Sequence, residues 1–258
     1  MLTSAQAQQI TALLDQKIEA KLRRYARETA SMPFLTRLMQ DSEKVAAYSF
    51  IHSMATTLGM SIYEESAKII AGKNCKECFT NYGVGGVISR DQKSAIENIV
   101  RQLRNGERKP NIKKEIAEVL TADSQNGKFQ KDGNIADFFM VRGGKEFYFE
   151  IKTVKPNIDV FTKSKAKLLE WAARRRKPVQ VFLAFPYNPY YPEPYSRFTD
   201  QNLMDHPNDF LIGAEFWDFL GGKGAFDDLL TVFDVVGKKW KSKIQQKIRE
   251  VAKLKMVA

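Results

Sequence analysis

Asp137, Glu150 and Lys152 stand in a stretch that is otherwise apolar and β-forming, G-N-I-A-D-F-F-M-V-R-G-G-K-E-F-Y-F-E-I-K-T over Gly133 to Thr153. Two carboxylates and an ammonium gathered within a few ångströms suit one chemistry in particular. The carboxylates can hold a hard divalent cation through oxygen, and the lysine can set a water against a phosphodiester.

The elements that must bring them together are read from local signals. Ile135 to Val141 and Glu146 to Thr153 are rich in aromatic and β-branched residues, and Arg142-Gly143-Gly144-Lys145 separates them. A Gly-Gly pair tolerates positive φ at both positions and so predicts a tight β-hairpin. Side chains alternate along the second strand, sending Phe147, Phe149 and Ile151 to one face and Tyr148, Glu150 and Lys152 to the other. Asp137 then approaches Glu150 from the paired strand. An isolated Glu-x-Lys is ordinarily a solvated, weak ion pair. The tight alternation, the upstream Asp and the charge of the whole chain set this one apart.

That charge is strongly basic: among 258 residues Lys and Arg number 41 and Asp and Glu 30, a formal +11. Such an excess favours nucleic acid or an anionic membrane surface as partner. No apolar run reaches the length of a membrane span. Met1-Leu2-Thr3-Ser4-Ala5-Gln6 lacks the basic and apolar regions of a secretory leader, so a cytoplasmic location is expected. Cys75 and Cys78, in C-K-E-C, would need two more ligands to hold zinc, and His52 and His206 are not at finger spacing. Free thiols are expected instead.

Along the chain the pattern predicts an α/β (α+β) protein with a mixed central sheet flanked by helices. Residues 1–58 form a helical N-terminal region, 59–235 the core and 236–258 a basic C-terminal helix. Ser4 caps a first helix whose apolar positions are Ile10, Leu13, Leu14, Ile18 and Leu22. Pro33 ends that region. A second helix runs from Asp41 to Leu58 with Gly59 as its stop, and a third from Ser61 to Gly72. Asn74 to Arg90 is Gly-rich and reads as a loop, followed by helices near 92–103 and 112–120. After the hairpin come a basic amphipathic helix, Thr162 to Arg176, and a buried strand, Val179 to Phe185. Leu211 to Leu220 reads as core.

The hairpin constellation resembles the PD-(D/E)XK nuclease superfamily: an Asp, a spacer, then (D/E)-x-K. Its leading Pro is replaced by Ala136. The superfamily often adds a Glu on an upstream helix. Glu64 and Glu65 are both candidates; Glu64 shares a face with Ala67 and Ala71, while Glu65 lies nearer Ile69. Over Met54 to Leu230 the sequence is similar to type II restriction endonucleases of the TdeIII kind, through F-Y-F-E-I-K-T-V-K-P-N, T-K-S-K-A-K-L-L-E-W, Y-N-P-Y and E-F-W-D-F-L-G-G. The resemblance implies Mg²⁺-dependent cleavage of double-stranded DNA at a short palindrome, a GGNCC-like target, a homodimer and a companion DNA methyltransferase. On it, Asp137, Glu150 and the main-chain carbonyl of Ile151 would bind Mg²⁺. Lys152 would orient and help deprotonate the water, and Lys155, Lys163 and Lys165 would hold the DNA backbone. The competing readings are a structure-selective repair or recombination nuclease on the same core, and a DNA-binding module without catalysis.

Overall fold

In the computed structural model, which describes residues 1–28, 32–152, 157–196 and 202–255, the chain divides into two units. One comprises Met1–Ser66 with Asp227–Ala258, the other Ala67–Phe226. This differs from the three consecutive zones read from the sequence, because the N- and C-terminal helices share one unit.

In the helical unit, Ile10, Leu14 and Ile18 are buried along α1 (Ser4–Glu28), as the apolar period dictates. Pro33 does not merely end the first region; it occupies the first turn of α2 (Pro33–Met39), where its missing N–H costs nothing. Asp41 caps α3 (Ser42–Thr57) by accepting the Lys44 N–H. Gly59 is not a stop. It lies in a π-turn, Leu58–Ile62, that carries α3 into α4 (Tyr63–Ala71). The basic tail begins earlier than expected, in the long helix Ala225–Lys255. Asp15 of α1 accepts hydrogen bonds from Lys239 and from Trp240 Nε1 of that helix, each at 2.6 Å. Tyr25, Ala46, Phe50, Val251 and Ala252 close a second small core.

Among the described residues the sheet unit has five strands in the order β1 (Glu77–Gly83), β2 (Ile135–Arg142), β3 (Lys145–Ile151), β4 (Gln180–Phe185) and β5 (Phe210–Ile212). The first three are antiparallel, and β3, β4 and β5 run parallel. The predicted hairpin is β2–β3, and Gly143 and Gly144 take φ of +57° and +71° at its turn. β1 falls inside the stretch expected to be a loop. It is an edge strand whose residues alternate between exposed and half-buried, so it lacks the apolar run of a central strand.

Both faces of the sheet are covered. Phe138, Phe147, Phe149 and Phe182 form one face, packed against Phe216 and Phe219 of α8 (Ala214–Gly221). Phe139, Tyr148, Val181 and Leu183 form the other. They lie under α5 (Arg90–Arg104), α6 (Ile112–Thr121) and α7 (Ile158–Arg175). The face that carries Tyr148 and Glu150 is therefore the underside of α7.

Candidate active site

Pairing of Phe138 with Phe149 across the hairpin puts Asp137 opposite Glu150 at the next step of the register. Asp137 Oδ2 accepts the backbone N–H of Ile151 at 2.7 Å, which locks its carboxylate against the end of β3. Glu150 is buried, and both of its oxygens meet ammonium groups. Lys152 Nζ lies 2.5 Å from Oε1, and Lys167 Nζ of α7 donates to Oε2. The Lys152 N–H donates to the Ala184 carbonyl of β4 at 3.0 Å, so the backbone at the end of β3 is fixed on both sides. Burial, then the neighbouring Glu150 charge, raise the Asp137 carboxyl above the usual carboxylate range against the pull of Lys152 and Lys167.

Two facing carboxylates, with the adjacent Ile151 carbonyl, form an oxygen-only donor set that fits a hard divalent cation. Glu150 is buried and Asp137 half-buried, the Glu150 charge disfavours that of Asp137, and the ammoniums now sit where positive charge is wanted. A cation between them would relieve that repulsion. Among the described residues no group of three His, Cys, Asp or Glu side chains gathers, so the two carboxylates carry this site.

The remaining expected residues are placed as follows. Glu64 is buried and Glu65 half-buried, both in the first turn of α4 and both in the helical unit. Lys163 is exposed on α7. Lys155 lies outside the described residues. Lys165 must be corrected: it does not face solvent and is not placed to touch DNA. Its ammonium is fully buried, 2.6 Å from Glu115 and 2.5 Å from Asp209. The Glu115 and Asp209 carboxylates also accept the backbone N–H groups of Asn111 and Asp205, each at 2.7 Å. This is a structural ion triad that ties α7 to α6 and to the entry of β5. Cys75 and Cys78 are free and half-buried, and burial pushes the Cys75 thiol up to about 12, an inert thiol.

Lys167 is the site residue that the sequence did not single out. Its Nζ lies 5.4 Å from the centroid of the Trp171 ring, one turn further along α7, and Trp171 packs against Tyr148. The helix is held down at its far end by Glu146, which accepts from Arg175 (2.8 and 3.0 Å), Lys177 (2.9 Å) and Tyr148 (2.9 Å). Burial by itself raises the Glu146 carboxyl, but these bonds outweigh it and bring it down to about 2. A depressed folded pKa means stability that is complete above the unfolded value of 4.5 and lost as pH falls toward about 2. Denaturant melts should therefore show wild-type stability dropping across that window. Glu146→Gln should flatten the drop and cost about 1–2 kcal/mol at neutral pH, a figure reduced for the solvent that reaches Arg175 and Lys177. An unchanged acid limb in the variant would remove this clamp from the account.

Comparison with known proteins points to one family. The family model described as type II restriction endonuclease, HinfI, matches residues 2–237. The type II restriction enzyme MjaII of Methanocaldococcus jannaschii is 30% identical over 206 residues, which is 73% of this chain and 54% of that enzyme. HgiEI and HgiCII, type II restriction enzymes of Herpetosiphon aurantiacus, are 27% identical over 207 residues and 28% over 206. Each of those matches covers 77% of this chain and 75% of the relative. This chain thus spans about half the length of MjaII and three quarters of the other two.

Proposed function

The chain belongs to the HinfI family of type II restriction endonucleases, and from that premise we propose that its hairpin site is a PD-(D/E)XK centre. It would cut both strands of duplex DNA at a short palindrome, as a homodimer, with Mg²⁺. The observation that carries this is the single cluster at the end of β3: Asp137 on the Ile151 amide, and Glu150 between two lysines.

Asp137, Glu150 and the Ile151 carbonyl would hold Mg²⁺. When bound, the ion supplies Lewis-acid polarisation of the phosphate and of a water. Lys152, already beside Glu150, orients that water in line with the scissile bond and helps take its proton. Its charge also meets the negative charge that builds on the phosphate. The water oxygen would bond to phosphorus as the P–O3′ bond breaks, and the departing O3′ would take a proton from solvent, leaving a 5′-phosphate and a 3′-hydroxyl. Lys167 holds the far oxygen of Glu150 and so fixes the carboxylate's rotamer. Burial of Glu150 under α7 excludes competing water and strengthens each of these interactions. Glu64 would support the metal site from α4, with Glu65 as the alternative. Lys155 and Lys163 would grip the DNA backbone without reading sequence. A twofold target read by two copies puts one hairpin at each strand. The sequence resemblance points to a GGNCC-like target. A companion methyltransferase in the same prokaryotic cytoplasm would protect host DNA.

Digestion of phage DNA tests the metal requirement. Cleavage should vanish in EDTA and return with Mg²⁺ or Mn²⁺, while Ca²⁺ should support binding without cutting. Undiminished cleavage in EDTA would overturn the carboxylate-centred mechanism.

A further inference from the structure

Lys167 is not a solvated surface charge. Its side chain is 22% exposed, and its ammonium meets Glu150 Oε2 while Lys152 meets Oε1. Two cations from different elements, α7 and the end of β3, thus bracket one buried carboxylate. Both positive charges also act on Asp137. Packed structure places the Lys167 ammonium. Its Nζ lies 5.4 Å from the centroid of the Trp171 ring, and Trp171 is fully buried, with Nε1 donating to the Gly133 carbonyl at 2.9 Å. Two residues earlier, Lys165 fastens the same helix through its buried ion triad. A lysine held this way has already given up much of its rotamer freedom, so its charge is preorganised.

The oxygen donors are few. A two-ion centre sets its metals about 3.5–4 Å apart and needs carboxylates to bridge and flank them. Here Asp137 Oδ2 accepts the Ile151 N–H. Among the described residues no third His, Cys, Asp or Glu side chain joins the pair. Glu150 Oε2, the oxygen through which Glu150 would bridge to a second ion, meets the Lys167 ammonium instead. Each carboxylate oxygen carries two lone pairs, so Glu150 can hold one ion and keep that ammonium.

We propose that the site takes one divalent ion per chain and that the Lys167 ammonium stands in the place of a second. This inference rests on the metal centre proposed above, and it sets the number of ions there. An ammonium carried by the chain supplies positive charge beside the ion and needs no ligands of its own, which suits a site with two carboxylates. Beside a bound cation, Lys167 repels it, so the residue lowers metal affinity while it adds charge where the phosphate's negative charge builds. A side chain that only steadied Glu150 would have the opposite sign, and its loss would weaken metal binding.

The test counts Mn²⁺ bound to the full chain, from the free-ion signal in electron paramagnetic resonance, with a thermal melt for each variant. Wild type should bind one Mn²⁺ per chain, and Glu150→Gln should bind it about 10-fold more weakly or worse. Lys167→Met keeps the length of the stem and removes the charge. It should bind Mn²⁺ about 5-fold more tightly or better, yet cut DNA about 10²-fold more slowly. Lys167→Glu puts a third carboxylate in the ammonium's place and should bind two Mn²⁺ per chain, with the broadened spectrum of a close ion pair. Two ions in wild type, both weakened by Glu150→Gln, would overturn this inference and leave the endonuclease standing. No Mn²⁺ on wild type would overturn the carboxylate metal centre and this inference with it. Weaker Mn²⁺ binding by Lys167→Met, or cleavage at the wild-type rate, would return Lys167 to steadying Glu150 alone and overturn the proposal. So would an equal gain in affinity from Lys113→Met, which removes the same charge from the exposed side of α6. A folded Lys167→Glu that binds a single ion also overturns it; if that variant melts early, Lys167→Met and Lys167→Gln decide by the sign of the affinity change.

Discussion

Glu150→Gln should fold normally and cut DNA about 10²–10⁴-fold more slowly than wild type, with Asp137→Asn and Lys152→Ala in the same range. The size of the effect follows from what each group does. Glu150 is the one carboxylate that both lysines touch and that Asp137 faces, so neutralising it removes a metal ligand and the anchor of the general base together. The isosteric amides matter because Glu150 is buried; an alanine there would add a cavity to the chemical loss. Lys152 is part-exposed, and its truncation costs little packing. Single-turnover cleavage measured beside a thermal melt separates the two contributions. Any of the three variants cutting near the wild-type rate with an unshifted melt loses its assigned role.

Lys165→Met should lower the melting temperature by about 10 °C or more, corresponding to about 3–5 kcal/mol. Removing the ammonium strands two buried carboxylates, Glu115 and Asp209, that have no solvent to turn to. Asp209 has its carboxyl raised by burial even with Lys165 beside it. Adding Glu115→Gln and Asp209→Asn to Lys165→Met should recover part of the loss, because the three groups act as a unit. A Lys165→Met protein of wild-type stability but weaker DNA binding would restore the surface role that the sequence suggested.

Lys165 also shows why part of the site was illegible. Read from Thr162, the run T-K-S-K-A-K looks like a basic helix face. The helix actually starts at Ile158, capped by Asn157. Counted from Phe161, positions 161, 164, 165, 168, 169 and 172 form a regular buried stripe with Lys165 inside it, and 171, 173 and 174 are buried beside its end. The same period puts Lys163 and Lys167 four apart on another side, which was the available signal for Lys167. The hairpin itself was fully legible, because two adjacent glycines flanked by alternating apolar runs admit one tight turn and set the register. β1 was not, since an edge strand half-covered on one face carries no continuous apolar signal, and Asn81 within it takes φ of +51°. The restriction-endonuclease resemblance was carried by the hairpin and by motifs after it, and the family comparison extends it from residue 2 to 237. Gly59 read as a helix stop because glycine usually ends helices at a left-handed cap; here a π-turn absorbs it within the helical path.

The most direct measurement of the central claim is sequencing of the fragment ends from a plasmid digested with Mg²⁺. The account expects discrete bands whose ends all fall at one short palindrome, each carrying a 5′-phosphate and a 3′-hydroxyl, and no such bands from Glu150→Gln. Nicked circles or a smear of unrelated ends would contradict a twofold, sequence-specific endonuclease built on this hairpin.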